Sequence, residues 1–134
     1  MSKQEIGNTV LRVTLGLIFL IHGIVKFQGG IENTVGWFDM IGLPGFLAYI
    51  VAVIELVGGL ALIFGIGTRI TAGLIAVIMV GAIFTAKMQA GFLGDGTGAG
   101  YELDLALLAM AVYLVLAGTS KLSLDHKIAN TQNT

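Results

Sequence analysis

The chain places ionisable side chains within apolar surroundings, and their spacing is the first chemical signal. His22 and Lys26 are four residues apart, so on a helix they share one face. Glu55 lies in the middle of a long apolar run, with Gly59 on the same face leaving room beside it. Lys87, Glu102 and Asp104 lie at the ends of two further runs. A charged group in hydrocarbon costs at least ~2.5 kcal/mol, so such groups face the interior of a helix assembly and serve a purpose there. Pairing Lys26 or Lys87 with Glu55, Glu102 or Asp104 lowers that cost, and a histidine beside a carboxylate can relay protons.

His22, Lys26 and Glu55 are the candidate catalytic residues. Phe19, Trp37, Lys87, Glu102 and Asp104 are candidate ligand contacts. Glu102 and Asp104 are two apart and point in different directions, so only one is a core-facing partner, and depth favours Asp104. Each residue also has a plainer role. Lys26 and Lys87 can snorkel to headgroups. Glu102 and Asp104 can stabilise a helix N-terminus. His22 can bond a neighbouring carbonyl. Glu55 is hardest to explain that way, because the middle of an apolar span offers no water. No metal is expected, since the donor spacing is unspecific.

The elements that must position these side chains are membrane helices. The chain has 134 residues, of which 56% are hydrophobic and 11% charged, with a mean hydropathy of +0.94. Soluble domains carry about 25% charged residues. Four apolar runs approach the ~20 residues that a helix needs to cross the bilayer: residues 10–27, 46–66, 69–88 and 102–118. They are continuous rather than alternating, and lipid tolerates only helices or closed barrels. The expected fold is therefore all-α: an integral membrane antiparallel four-helix bundle, one domain over residues 1–134. The first run is too long for a signal peptide and contains His22.

Positive charge favours one side. With four crossings both termini share it, together with Lys3, Arg12, Arg69, Lys121 and Lys127. The positive-inside rule then makes that side cytoplasmic, in the plasma membrane. Arg12 and Arg69 read as interfacial anchors. Gly65-Ile66-Gly67-Thr68 reads as a tight turn between the second and third spans. Residues 28–45 form an outer loop whose Trp37-Phe38 and Met40-Ile41 suit the headgroup level, and Pro44 starts the second span. Gly16, Gly23, Gly58, Gly59, Gly73 and Gly81 read as helix-packing residues. On this reading the inner half is apolar and glycine-packed, the outer half holds the charges, and the tail after Asp125 is frayed. The net charge of -1 gives no reason to expect nucleic acid. There is no cysteine, which removes disulfides, thiolate nucleophiles and iron–sulfur ligation by this chain.

The ordered motifs resemble the DoxX family of small membrane proteins. Arg12 is followed by Gly16-x-x-Phe19-x-x-His22-Gly23-x-x-Lys26. Gly42-Leu43-Pro44 then leads to Glu55-x-x-Gly58-Gly59-x-x-Leu62. Gly67-Thr68-Arg69 opens the third span, Tyr101-Glu102-Leu103 opens the fourth, and Leu122-Ser123-Leu124-Asp125 follows Gly118. This chain departs from many members at Lys87, where they carry a histidine. The resemblance implies four membrane helices tied to quinone, catechol or thiol redox chemistry and detoxification, with a quinone as the bound molecule. The chain has no electron carrier of its own, so electrons would come from a soluble oxidoreductase partner or a bound cofactor. The same buried charges also suit a transporter or permeability protein for small aromatic compounds, or a scaffold that recruits a soluble oxidoreductase. A homodimer is compatible with the size, though no face marks it.

Overall fold

A computed structural model describes residues 2–94, 96 and 100–132, leaving aside the side chains at 86, 87, 89 and 130–132. Among the described residues every regular element is helical: α1 (Lys3–Gln28), α2 (Ile31–Met40), α3 (Phe46–Phe64), α4 (Thr68–Ala82), α5 (Glu102–Ala117) and α6 (Leu124–Gln132). Three helices are long and apolar enough to cross a membrane: Lys3–Gln28, Phe46–Phe64 and Thr68–Thr85. Large apolar side chains such as Val10, Ile21, Val57, Ile70 and Val77 point outward, as a protein surrounded by lipid requires.

α1 packs most extensively on α3, α3 on α4, α4 on α5, and α5 returns to α1. Leu15, Phe19, Leu62, Ala72, Ile75, Met79, Leu107, Ala111 and Leu114 fill the space between them. Glycine permits the tightest of these contacts. A Cβ on Gly16 would lie 2.7 Å from the Gly59 carbonyl oxygen, and one on Gly23 would lie 2.7 Å from the Leu56 nitrogen. The α1 and α3 backbones therefore touch, which fits membrane packing through small residues. Gly73 and Gly81 differ: a Cβ on either meets nothing within 4 Å, so these two do not mediate packing.

The end carrying both termini is not the apolar half that the sequence suggests. Arg12 is buried, not interfacial. Its guanidinium donates to the carbonyls of Leu62 (2.7 Å), Ile63 (3.0 Å) and Leu122 (2.5 Å). Two of these carbonyls, Leu62 and Ile63, lie in the last turn of α3, at the pole of the helix dipole that attracts a cation. Asn8 donates to the Gly118 carbonyl at 2.9 Å. The segment after Asp125 is helix α6 rather than a frayed tail. Asp125 accepts from the Gly67 and Thr68 amides at 2.7 and 3.0 Å, capping α4, and its own amide donates to the Gly65 carbonyl at 2.9 Å. The predicted turn between α3 and α4 forms with Gly65 and Gly67 both at positive φ, and chain and side chains lock it from both sides.

The opposite end also departs from expectation. The 28–45 loop contains helix α2. The third span ends its α-helix at Ala82, continues as a π-helical turn over Ile83–Lys87 and closes with a 3-10 turn at Met88–Ala90. α5 has 16 residues, about 24 Å, shorter than the usual span.

Substitutions at two glycines separate packing from bystander positions. Gly59→Ala drives a methyl group into the Leu20 backbone and should destabilise the protein by about 1–3 kcal/mol, the range for overpacking. Gly73→Ala should be neutral or stabilising by up to about 1 kcal/mol, because alanine is the better helix former. Denaturant unfolding in detergent micelles, followed by circular dichroism, measures both.

Candidate functional site

Close contact between α1 and α3 creates the charged centre. Gly23 lies against Leu56, which brings Lys26, one turn further along α1, beside Glu55, midway along α3. Lys26 Nζ lies 2.7 Å from both Glu55 carboxylate oxygens. The Glu55 side chain is 4% exposed and that of Lys26 is 24% exposed. Lys26 turns inward to the carboxylate instead of snorkelling outward. An ammonium has three N–H donors; two are committed to Glu55, and the third is available to a ligand from the exposed side.

This pair borders a cavity of ≈ 420 Å³, within the range of small-molecule sites. His22 and Lys26 of α1 and Glu55 of α3 form the polar wall, with Phe19 of α1 beside them. Trp37 and Phe38 of α2, Leu47 and Val51 of α3, and Ile78 and Met79 of α4 form the apolar walls, and Asp104 and Leu107 of α5 close it. The sequence left these apolar walls largely unnamed, because an apolar residue in a membrane span carries no mark that separates cavity lining from lipid contact.

The sequence-derived residues divide clearly. His22, Lys26, Glu55, Phe19, Trp37 and Asp104 converge on this one cavity. His22 is exposed and makes no hydrogen bond to a described residue; its ring lies tilted by 37° to that of Phe19, with centroids 6.2 Å apart. Asp104 is buried, whereas Glu102 is exposed and does not line the cavity. The helical step of about 100° separates residues two apart by about 200°, so burial of Asp104 turns Glu102 outward. Glu102 therefore does not border this cavity. The Lys87 side chain lies outside the described residues. Among the described residues no group of three or more potential ligands is placed to hold a metal ion.

The sequence also missed the special backbone beside the site. Thr85, in the π-helical turn, lines the cavity, and its hydroxyl donates to the Gly81 carbonyl at 2.6 Å. Such turns appear frequently at functional sites because they widen a helix locally.

Comparison with known proteins gives a consistent picture. The family model for DoxX matches residues 7–88. The chain is 46% identical over 126 residues to "Putative oxidoreductase CatD" of Bacillus subtilis (strain 168), covering 93% of this chain and 90% of that protein. It is 34% identical over 129 residues to "Uncharacterized membrane protein Rv3486" of Mycobacterium tuberculosis, covering 89% and 79% respectively. It is 35% identical over 69 residues to "Inner membrane protein YqjF" of Escherichia coli, covering 52% of each chain. No solved structure matches it.

The ion pair makes a stability prediction. Lys26→Met leaves the Glu55 carboxylate buried without its cation and should cost about 3–5 kcal/mol, whereas Lys26→Met combined with Glu55→Leu should recover most of that loss. Unfolding free energies of both variants in micelles give the comparison.

Proposed function

The chain belongs to the DoxX family of membrane proteins, and from that premise we propose that it binds a quinone- or catechol-type ring in the cavity beside Lys26 and Glu55, as the membrane component of an oxidoreductase or detoxification system. The observation that carries this reading is the placement of an accessible ion pair in an apolar chamber with aromatic walls. The name of the Bacillus subtilis relative supports the redox assignment.

The residues fit such a ligand. Phe19, Phe38 and Trp37 offer ring faces and edges, which aromatic ligands pack against. The free N–H of Lys26 can donate to one ring oxygen. His22, exposed and without a hydrogen-bond partner among the described residues, can donate to or accept from the other. Reducing a quinone to a diol consumes two electrons and two protons. His22 and Glu55 are the groups suited to exchanging protons with the ring. The electrons would come from an oxidoreductase partner or a bound cofactor, since the chain carries no thiol or cluster ligand of its own.

In this reading the whole chain is one membrane domain, with α5 as a short fourth crossing. Both termini are cytoplasmic, with Lys3, Arg69, Lys121 and Lys127 toward the inner leaflet. The absence of native cysteine makes sidedness easy to read. A cysteine at Lys3 should react with an impermeant maleimide only in inside-out vesicles, and a cysteine at Glu32 only in right-side-out ones. The reverse pattern overturns the orientation.

Ligand binding has an intrinsic reporter. Trp37 is the single tryptophan in the chain and lines the cavity. Benzoquinone should quench its fluorescence saturably in nanodiscs. Glu55→Gln should weaken that binding by about tenfold or more, the effect of losing a charge-assisted hydrogen-bond arrangement. Catechol efflux from proteoliposomes by the protein alone, without saturable quenching, would instead favour a transport role.

A further inference from the structure

The outer face of α4 and the π-helical turn that continues it carries a stripe of large apolar residues at helical spacing. Ile70, Leu74, Val77 and Phe84 are all exposed, and the interval between Val77 and Phe84 is filled on the same stripe by Gly81. Gly81 is itself exposed, yet it also lines the cavity. A residue with both properties sits at a mouth. Thr85, one turn on, is likewise exposed and cavity-lining. The missing side chain at Gly81 thus notches the lipid-facing stripe at the edge of the cavity, while His22 and Trp37, also exposed and cavity-lining, border it on the α1 and α2 side.

The depth of the notch decides what it faces. Gly81 lies 13 residues beyond Thr68, about 20 Å along the helix axis, and one turn short of the end of the Thr68–Thr85 span. The opening therefore meets acyl chains rather than bulk water. Gly81 has no packing role that would explain it otherwise, because a Cβ there meets nothing within 4 Å.

We infer that the ligand is a ring bearing a hydrocarbon tail: the ring sits against Lys26 and Glu55, and the tail leaves through the notch at Gly81 and Thr85 into the bilayer. This rests on the ring-binding reading above and narrows it to membrane-dissolved compounds. It gives Gly81 the part of a specificity-determining residue, since its lack of a side chain is what admits the tail.

The test uses quenching of Trp37 in nanodiscs by two probes, benzoquinone and a decyl-substituted benzoquinone. Wild-type protein should bind both saturably. Gly81→Phe should weaken the decyl compound by about tenfold or more, the effect of steric overlap in a filled space, while benzoquinone changes by less than about twofold, because the ring lies deeper. Thr85→Phe should repeat this pattern independently should Gly81→Phe fold poorly. Gly73→Phe, on the same helix, with open space around its Cβ and away from the cavity, should bind both probes as the wild type does. Equal losses for the two probes in Gly81→Phe, or unchanged binding of the decyl compound in both mouth variants, would overturn the tail exit while leaving ring binding intact. A wild type that binds neither probe removes ring binding and the tail with it.

Discussion

Direct backbone contact between α1 and α3 is the constraint on which the rest of this molecule depends. Gly16, Gly23 and Gly59 bring the two helices together without intervening side chains. In lipid this is favourable, since apolar side chains gain nothing from leaving hydrocarbon and close van der Waals packing must supply the association energy. The contact also has a chemical result. It sets Lys26 within reach of Glu55, a carboxylate midway along α3 that could not otherwise be tolerated there. A looser crossing would leave both charges in hydrocarbon without each other.

Polarity is concentrated at two ends for two different reasons. At the end with the termini, Arg12 and Asp125 satisfy backbone groups that helix ends expose. The guanidinium serves carbonyls at the end of α3, the carboxylate serves amides at the start of α4, and residues 122–125 tie both to the C-terminal segment. These interactions hold the α3–α4 turn. At the other end, residues of α1, α2, α3, α4 and α5 surround the cavity, and the polar groups border that space instead of backbone. The first end fixes the geometry of the hairpin; the second uses the room that this hairpin leaves.

The site was legible in the sequence to the extent that charge in hydrocarbon is conspicuous. His22, Lys26, Glu55 and Asp104 stand out because each is costly in an apolar run, and all four meet at the cavity. Arg12 was equally conspicuous, but proximity to the chain end made an interfacial anchor the natural expectation. Asn8, one turn away on the same face, was the available sign of a buried polar seam. The glycines show the same division. Gly16 and Gly81 are the same residue in similar helices, yet one lies against a backbone and the other borders open space.

Composition and hydropathy alone determined that this is an all-helical membrane protein, because every backbone polar group in lipid must be bonded within a helix and the apolar runs have that length. They determined also which side chains are too costly to lie there idle. Only the tertiary structure decided which carboxylate takes Lys26, that Asp104 and not Glu102 turns inward, and that Arg12 and Asp125 close helix ends. Those choices depend on the rotation and crossing of helices against one another, set by contacts between residues tens of positions apart, which no local pattern records.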